Sequence, residues 1–164
     1  MAGVIKKMGF WALAIVIGVC LILGVLSLTA RKSPETGIVD GRLRPCPARP
    51  NCVCSEYEGL SSFVEPFRFS GPPKEAWQRL RAVLSEHGGR IEEEATGYLR
   101  VTFTTRVFRF VDDLELRIDE RNGLIQVRSA SRVGFSDMGL NRKRVEKLRV
   151  AFGGGKKPEV TRDE

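Results

Sequence analysis

Three of the four cysteines in this 164-residue chain stand within nine residues, in RPCPARPNCVCS at positions 44–55. Such a cluster could hold a metal, act as a nucleophile or close a disulfide. A zinc site takes four ligands, commonly as two close pairs. Here Cys46, Cys52 and Cys54 form no Cys-x-x-Cys, and His87 is the one histidine of the chain. A nucleophilic thiol needs a base beside it, and His87 is far away in sequence. The expectation is therefore a Cys46–Cys52 disulfide closing a proline-rich loop, with Cys54 left free. That chemistry suits an oxidising compartment. No metal site is expected and no cofactor is implied.

The other reactive side chains are carboxylates, serines and arginines. Asp112 and Asp113 are adjacent in a stretch that reads as a strand, so they point to opposite faces. That is the wrong arrangement for a two-carboxylate hydrolase. Ser129, Ser131 and Ser136 have neither a Gly-x-Ser-x-Gly elbow nor a suitable histidine. The segment GFSDMGLNRKR (134–144) is more informative. Glycines, a hydroxyl and backbone N–H groups precede a helix start, where anions are favoured. The expected cluster is Asp112, Asp113, Arg128, Arg132, Ser136, Asp137, Asn141 and Arg142. It reads either as a pocket for a phosphate or carboxylate, or as a polar knot. In the knot Asp137 caps the helix, Asn141 bonds backbone, and the arginines pair with Asp112 and Asp113.

The elements that would position these groups follow from the sequence pattern. Met8 to Ala30 carries no charge. At ~1.5 Å per residue a helix of this length crosses a ~30 Å hydrocarbon core. It exceeds the ~7–15 apolar residues of a signal peptide, and Leu28-Thr29-Ala30 is a poor cleavage site, so an uncleaved anchor over residues 1–30 is expected. Lys6 and Lys7 before the span and Arg31 and Lys32 after it nearly balance the positive-inside count. Together with the cysteines, a short internal N-tail and an extracytoplasmic, periplasmic domain are the choice. Residues 31–44 read as a linker, 45–152 as a single α+β domain, and 153–164 as a disordered tail.

Within the domain, Phe63–Ser70 reads as an edge strand, because Pro66 excludes a central one. Proline before and glycine after SGPPKEAWQRLRAVLSEHGG mark a helix over 73–87, with Ala76, Trp77, Leu80, Val83 and Leu84 on one stripe. Strands follow over Arg90–Glu94, Tyr98–Thr105, Val107–Asp119 and Leu124–Val133. Asn122-Gly123 reads as a two-residue hairpin loop. That register sets Leu116 against Ser129 and Asp113 against Arg132, with Glu115 diagonal to Arg128. Asp112 then falls on the face of Leu114 and Leu116, where it needs a cation, unless a bulge moves it outward. Asn141, Val145, Leu148 and Phe152 share one face of a last helix, capped by Ser136 or Asp137. The expected fold is an antiparallel sheet of about five strands with two helices on one face.

Charge is concentrated. Residues 128–149 hold seven basic side chains against two acidic ones, while the rest of the chain after the anchor is neutral overall. Such a segment either attracts anions, including lipid headgroups, or is a solvated helix face. Nucleic acid does not fit a domain outside the cytoplasm.

CPARPNCVCS (46–55), YLRVTF (98–103), FVDDLEL (110–116) and VRSASRVGFSDMGLNRKRVEKLR (127–149) together resemble the bacterial and plastid family called domain of unknown function 1499. The resemblance covers about residues 43–150. The matching positions are Cys46, Pro47, Pro50, Asn51, Cys52, Asp112, Asp113, Arg128, Ser129, Ser131, Arg132, Gly134, Ser136, Asp137, Gly139, Asn141 and Arg142. It implies a frequent N-terminal membrane segment or export signal, and no activity. The family usually has serine where this chain has Cys54, which argues against a shared functional thiol. The reading that results is a single-pass, membrane-anchored binding or scaffolding module at the cell envelope. The alternatives are an enzyme acting on an anionic envelope substrate through the Asp/Arg cluster, and an accessory subunit of a membrane complex.

Overall fold

The computed structural model describes residues 2–29, 35–107 and 109–153. Its first element, α1 (Ala2–Thr29), is long and apolar enough over Lys7–Thr29 to cross a membrane. The tail expected to be disordered lies outside the described residues, apart from Gly153.

The rest is α+β. The short hairpin β1 (Ile38–Val39) and β2 (Arg42–Leu43) forms within the stretch read as a linker, and Leu43 is fully buried. Then come β3 (Cys52–Cys54), β4 (Phe67–Arg68), α2 (Pro73–Glu86), β5 (Arg90–Ala95), β6 (Tyr98–Thr104), β7 (Val111–Asp119), β8 (Leu124–Ser131) and α3 (Leu140–Phe152). The main sheet has six strands rather than about five. It runs β3-β8-β7-β6-β5, all antiparallel, and β4 joins the same edge of β8 as β3.

Both helices pack on one face. α2 starts with proline in its first turn, where the missing N–H is no loss. It buries Ala76, Leu80, Val83 and Leu84 and ends at His87, whose ring Nδ1 lies 2.9 Å from the Val83 carbonyl. α3 buries Val145, Leu148 and Phe152 from the expected stripe. These side chains meet Leu99, Val101, Leu114, Leu116 and Val127 of the sheet. Each full burial is worth about 1.5–3 kcal/mol. Phe67 and Phe152 stack at 5.9 Å and tie β4 to the end of α3.

The β7–β8 register corrects the expected hairpin. Leu116 faces Val127, Leu114 faces Ser129 and Asp112 faces Ser131. The loop is therefore residues 120–123, not Asn122-Gly123 alone. Asp119 makes the difference: its carboxylate accepts the Asn122 backbone N–H at 3.3 Å and the Asn122 amide at 2.9 Å. Gly123, at φ +62°, then closes the wider turn. A slip of two residues leaves every side chain on its expected face, since the strand period is two. No bulge interrupts the pairing at Asp112, which faces the helices with Leu114.

Candidate functional site: the sheet face opposite the helices

The face of the sheet away from the helices is polar by alternation. β7 gives it Asp113, Glu115 and Arg117, β6 gives Tyr98, Arg100 and Thr102, and β8 gives Arg128, Ala130 and Arg132 beyond its end. Segment 35–50 lies over it, with Leu43 packed against Cys54 and Tyr98. Glu56 holds that cover down by accepting from the Leu43 N–H and from Arg117.

Two carboxylates are sunk here. Asp113 is 1% exposed and takes a two-pronged contact from Arg132, Nε to Oδ2 at 2.7 Å and Nη2 to Oδ1 at 2.9 Å. Arg100 adds a longer bond of 3.5 Å. Such fork-shaped contacts are the strong class of charged hydrogen bond. The sequence-derived partnership of Asp113 with Arg132 therefore forms, but diagonally, because Ala130 stands directly opposite. Glu115 is 0% exposed and sits directly across from Arg128, rather than diagonal to it. It accepts from Arg128 Nη1, from the Tyr98 hydroxyl at 2.9 Å and from the Gly37 N–H at 2.6 Å. Burial, and then the Glu115 charge, push the Tyr98 phenol far up, so it remains a donor.

The disulfide loop is the wall of the site. Cys46 and Cys52 are bonded, with Cα atoms 5.6 Å apart. Cys54 is unpaired and buried, and burial pushes its thiol up to about 11. A thiol so far from ionisation is a poor nucleophile. Cavities open on both sides of the loop. The first, about 520 Å³, lies between the loop and the open sheet face. It is lined by Arg44, Arg49, Arg128 and Arg132 against Glu35 and Asp113, with Asn51 at its side. Arg128 is 7% exposed, and among the described residues its Nε has no hydrogen-bond partner. A buried donor left unmet costs about 1–3 kcal/mol, which an acceptor reaching this enclosed atom would recover.

The second cavity, about 680 Å³, contains Ser136, Asp137 and Arg142. These groups are already engaged. Asp137 accepts the N–H groups of Gly139 at 3.0 Å and Asn141 at 2.7 Å, which is the expected cap of α3. The Ser136 hydroxyl accepts the Met138 N–H at 3.3 Å. Arg142 donates to the carbonyls of Phe63 and Ser61, both at 2.8 Å, so it anchors the 60–63 loop instead of meeting an aspartate.

Asp112 and Asn141 lie in a third place, on the helix side. Arg144 reaches down from α3 to Asp112 and also donates to Asn141 Oδ1 at 2.6 Å and Ser129 Oγ at 3.2 Å. Asn141 in turn donates to the Asn51 carbonyl at 3.1 Å and to Ser131 at 3.0 Å. The eight residues grouped by sequence thus divide among three locations. Arg144, Glu115, Arg44 and Arg49 were not among them. Face alternation alone would have paired Glu115 with Asp113. Arg144 is one helical turn beyond Asn141 on α3, close enough to share its partners. Among the described residues, no three His, Cys, Asp or Glu side chains are grouped to hold a metal ion.

Comparison with known proteins adds the family. The sequence model described as Protein of unknown function (DUF1499) matches residues 42–152, about two thirds of the chain. No curated protein and no solved structure matches it.

Proposed function

The chain belongs to the DUF1499 family, and from that premise we propose that it is a membrane-anchored binding module at the cell envelope. Its domain faces the extracytoplasmic side, and the bound group is an oxyanion, carboxylate or phosphate. The anchor is the uncleaved segment 1–30. The disulfide supports the location, because such bonds persist in oxidising compartments. The observation that carries the binding reading is the first cavity, where four arginines outnumber two carboxylates and the buried Arg128 Nε lacks an acceptor. Asp113 is committed to Arg132, so it adds little repulsion.

Catalysis by the same cluster would need a carboxylate that is not already engaged. Asp112 and Asp113 each serve an arginine, and Asp137 serves the start of α3. That distribution favours binding over reaction. The test is native mass spectrometry of the full chain, purified gently from its own membrane. The expected spectrum contains one bound anionic species of defined mass. A bare chain under the same conditions contradicts the proposal, and a co-purifying subunit in place of a ligand moves the function to an accessory role.

A further inference from the structure

A second surface, at the rim of the second cavity, combines exposed apolar side chains with position. β6, β7 and β8 end together: Thr104 pairs with Val111, and Asp112 pairs with Ser131. Two loops leave the sheet at this end. One carries Arg106, Val107 and Arg109, and Val107 is 79% exposed. The other carries Phe135 and Met138, which are 71% and 89% exposed, and leads into α3 at Leu140, which is also exposed. Met138 and Arg109 both adopt a left-handed backbone, at φ 53° and 55°. That conformation is strained for residues with side chains and is held only where the surroundings enforce it.

The chain enters the domain at the same end. The Gly37 N–H binds Glu115, and Glu35 lines the cavity beside Asp113, Ser131 and Arg132. From Gly37 to Glu35 the segment therefore moves along β7 from Glu115 toward Asp113, the end that carries the two loops. From Thr29, the end of α1, to Glu35 is six peptide steps, which reach at most about 20 Å. The end of α1 is thus within that distance of Glu35, which lines the cavity beside Asp113 and Ser131. Arg106 and Arg109 share the loop of Val107, Lys143 lies in the first turn of α3 just after Met138, and Asp137, the acid of the second loop, accepts the N–H groups of Gly139 and Asn141. Apolar tips with basic side chains close by in sequence match an anionic lipid surface.

We propose that Val107, Phe135 and Met138 dip into the leaflet that holds the anchor and seat the domain, with the mouth of the arginine cavity close to the headgroups. The proposal rests on α1 being a retained anchor. The test reconstitutes the full chain in phosphatidylcholine–phosphatidylglycerol vesicles doped with a lipid carrying a photoreactive acyl chain, and maps the adducts by mass spectrometry. Adducts are expected on α1 and on the peptides holding Val107 and Phe135–Met138, and none on the 120–123 turn at the opposite end of the sheet. Phe135→Asp with Met138→Asp is expected to abolish labelling of the Val107 peptide while the unfolding midpoint stays unchanged. Adducts confined to α1 overturn the docking and leave the anchor standing. Adducts on neither overturn the anchor, and the docking with it.

Discussion

The two faces of one sheet treat buried charge in opposite ways. On the helix side, Asp112 is met by Arg144, which is also bonded to Asn141 and Ser129 and lies 4.9 Å over the Phe103 ring. α3 closes over the whole group, and it welds the helix to the strands. On the opposite side, Asp113 and Glu115 are sunk as deeply, yet their arginines line an open cavity and one donor stays unmet. Both networks stabilise the fold. The difference is that the second leaves room beside it for something else. Buried ion pairs by themselves are weak evidence of function. An accessible cavity lined mainly by arginines beside such pairs adds to it.

That contrast can be broken most forcefully on the helix side. Arg144→Ala leaves the buried Asp112 without its cation and removes three bonds, so urea unfolding should show a loss of about 3–5 kcal/mol. Ligand retention in the native spectrum should survive under conditions where the variant remains folded. If stability is unchanged, the helix-side network is not the weld described. A smaller effect is expected from the loop shared by both cavities. Cys46→Ser with Cys52→Ser should lower stability by about 2 kcal/mol and weaken binding as well, because Arg49 rides on that loop. Retained affinity after this change would detach the cavity wall from the site.

An effect of comparable size sharpens the contrast through pH. The Cys54 thiol is pushed from 9.0 to about 11, first by burial. Between those values the unfolded chain has lost the proton and the folded chain has kept it. Stability is therefore fully present below pH 9 and falls as pH rises toward 11. Chemical unfolding across that window should show the decline, and Cys54→Ser should remove it between pH 9 and 10, above which the buried Tyr98 adds its own. A flat profile for both proteins would show the buried thiol to be uncoupled from folding.

The sequence made some of this legible and hid the rest for definite reasons. α2 was readable because its punctuation and its stripe agree. The faces of β7 and β8 were readable although their register was not, since a shift of two residues preserves alternation. The wider turn depended on Asp119 reaching Asn122, a side-chain contact that a dipeptide signal does not contain. The strands β1 to β3 were missed because they are two or three residues long and sit among prolines and glycines, below the length at which alternation is visible. Asp112 needed a cation, as its face implied. That cation was Arg144, 32 residues on, which only the packing of α3 could select. Arg142, its neighbour by two, points elsewhere because adjacent positions on a helix diverge.

The central claim is that the arginine cavity binds an oxyanion. Its most direct test is titration calorimetry of the full chain in detergent micelles with glycerol phosphate, beside Arg44→Ala with Arg49→Ala. These two arginines are not part of the buried Asp113 and Glu115 pairs, so stability should change by no more than about 0.5 kcal/mol. The account expects saturable heat from the unaltered chain and its loss in the double variant at an unchanged unfolding midpoint. No heat from the unaltered chain, or equal heat from both, would contradict it.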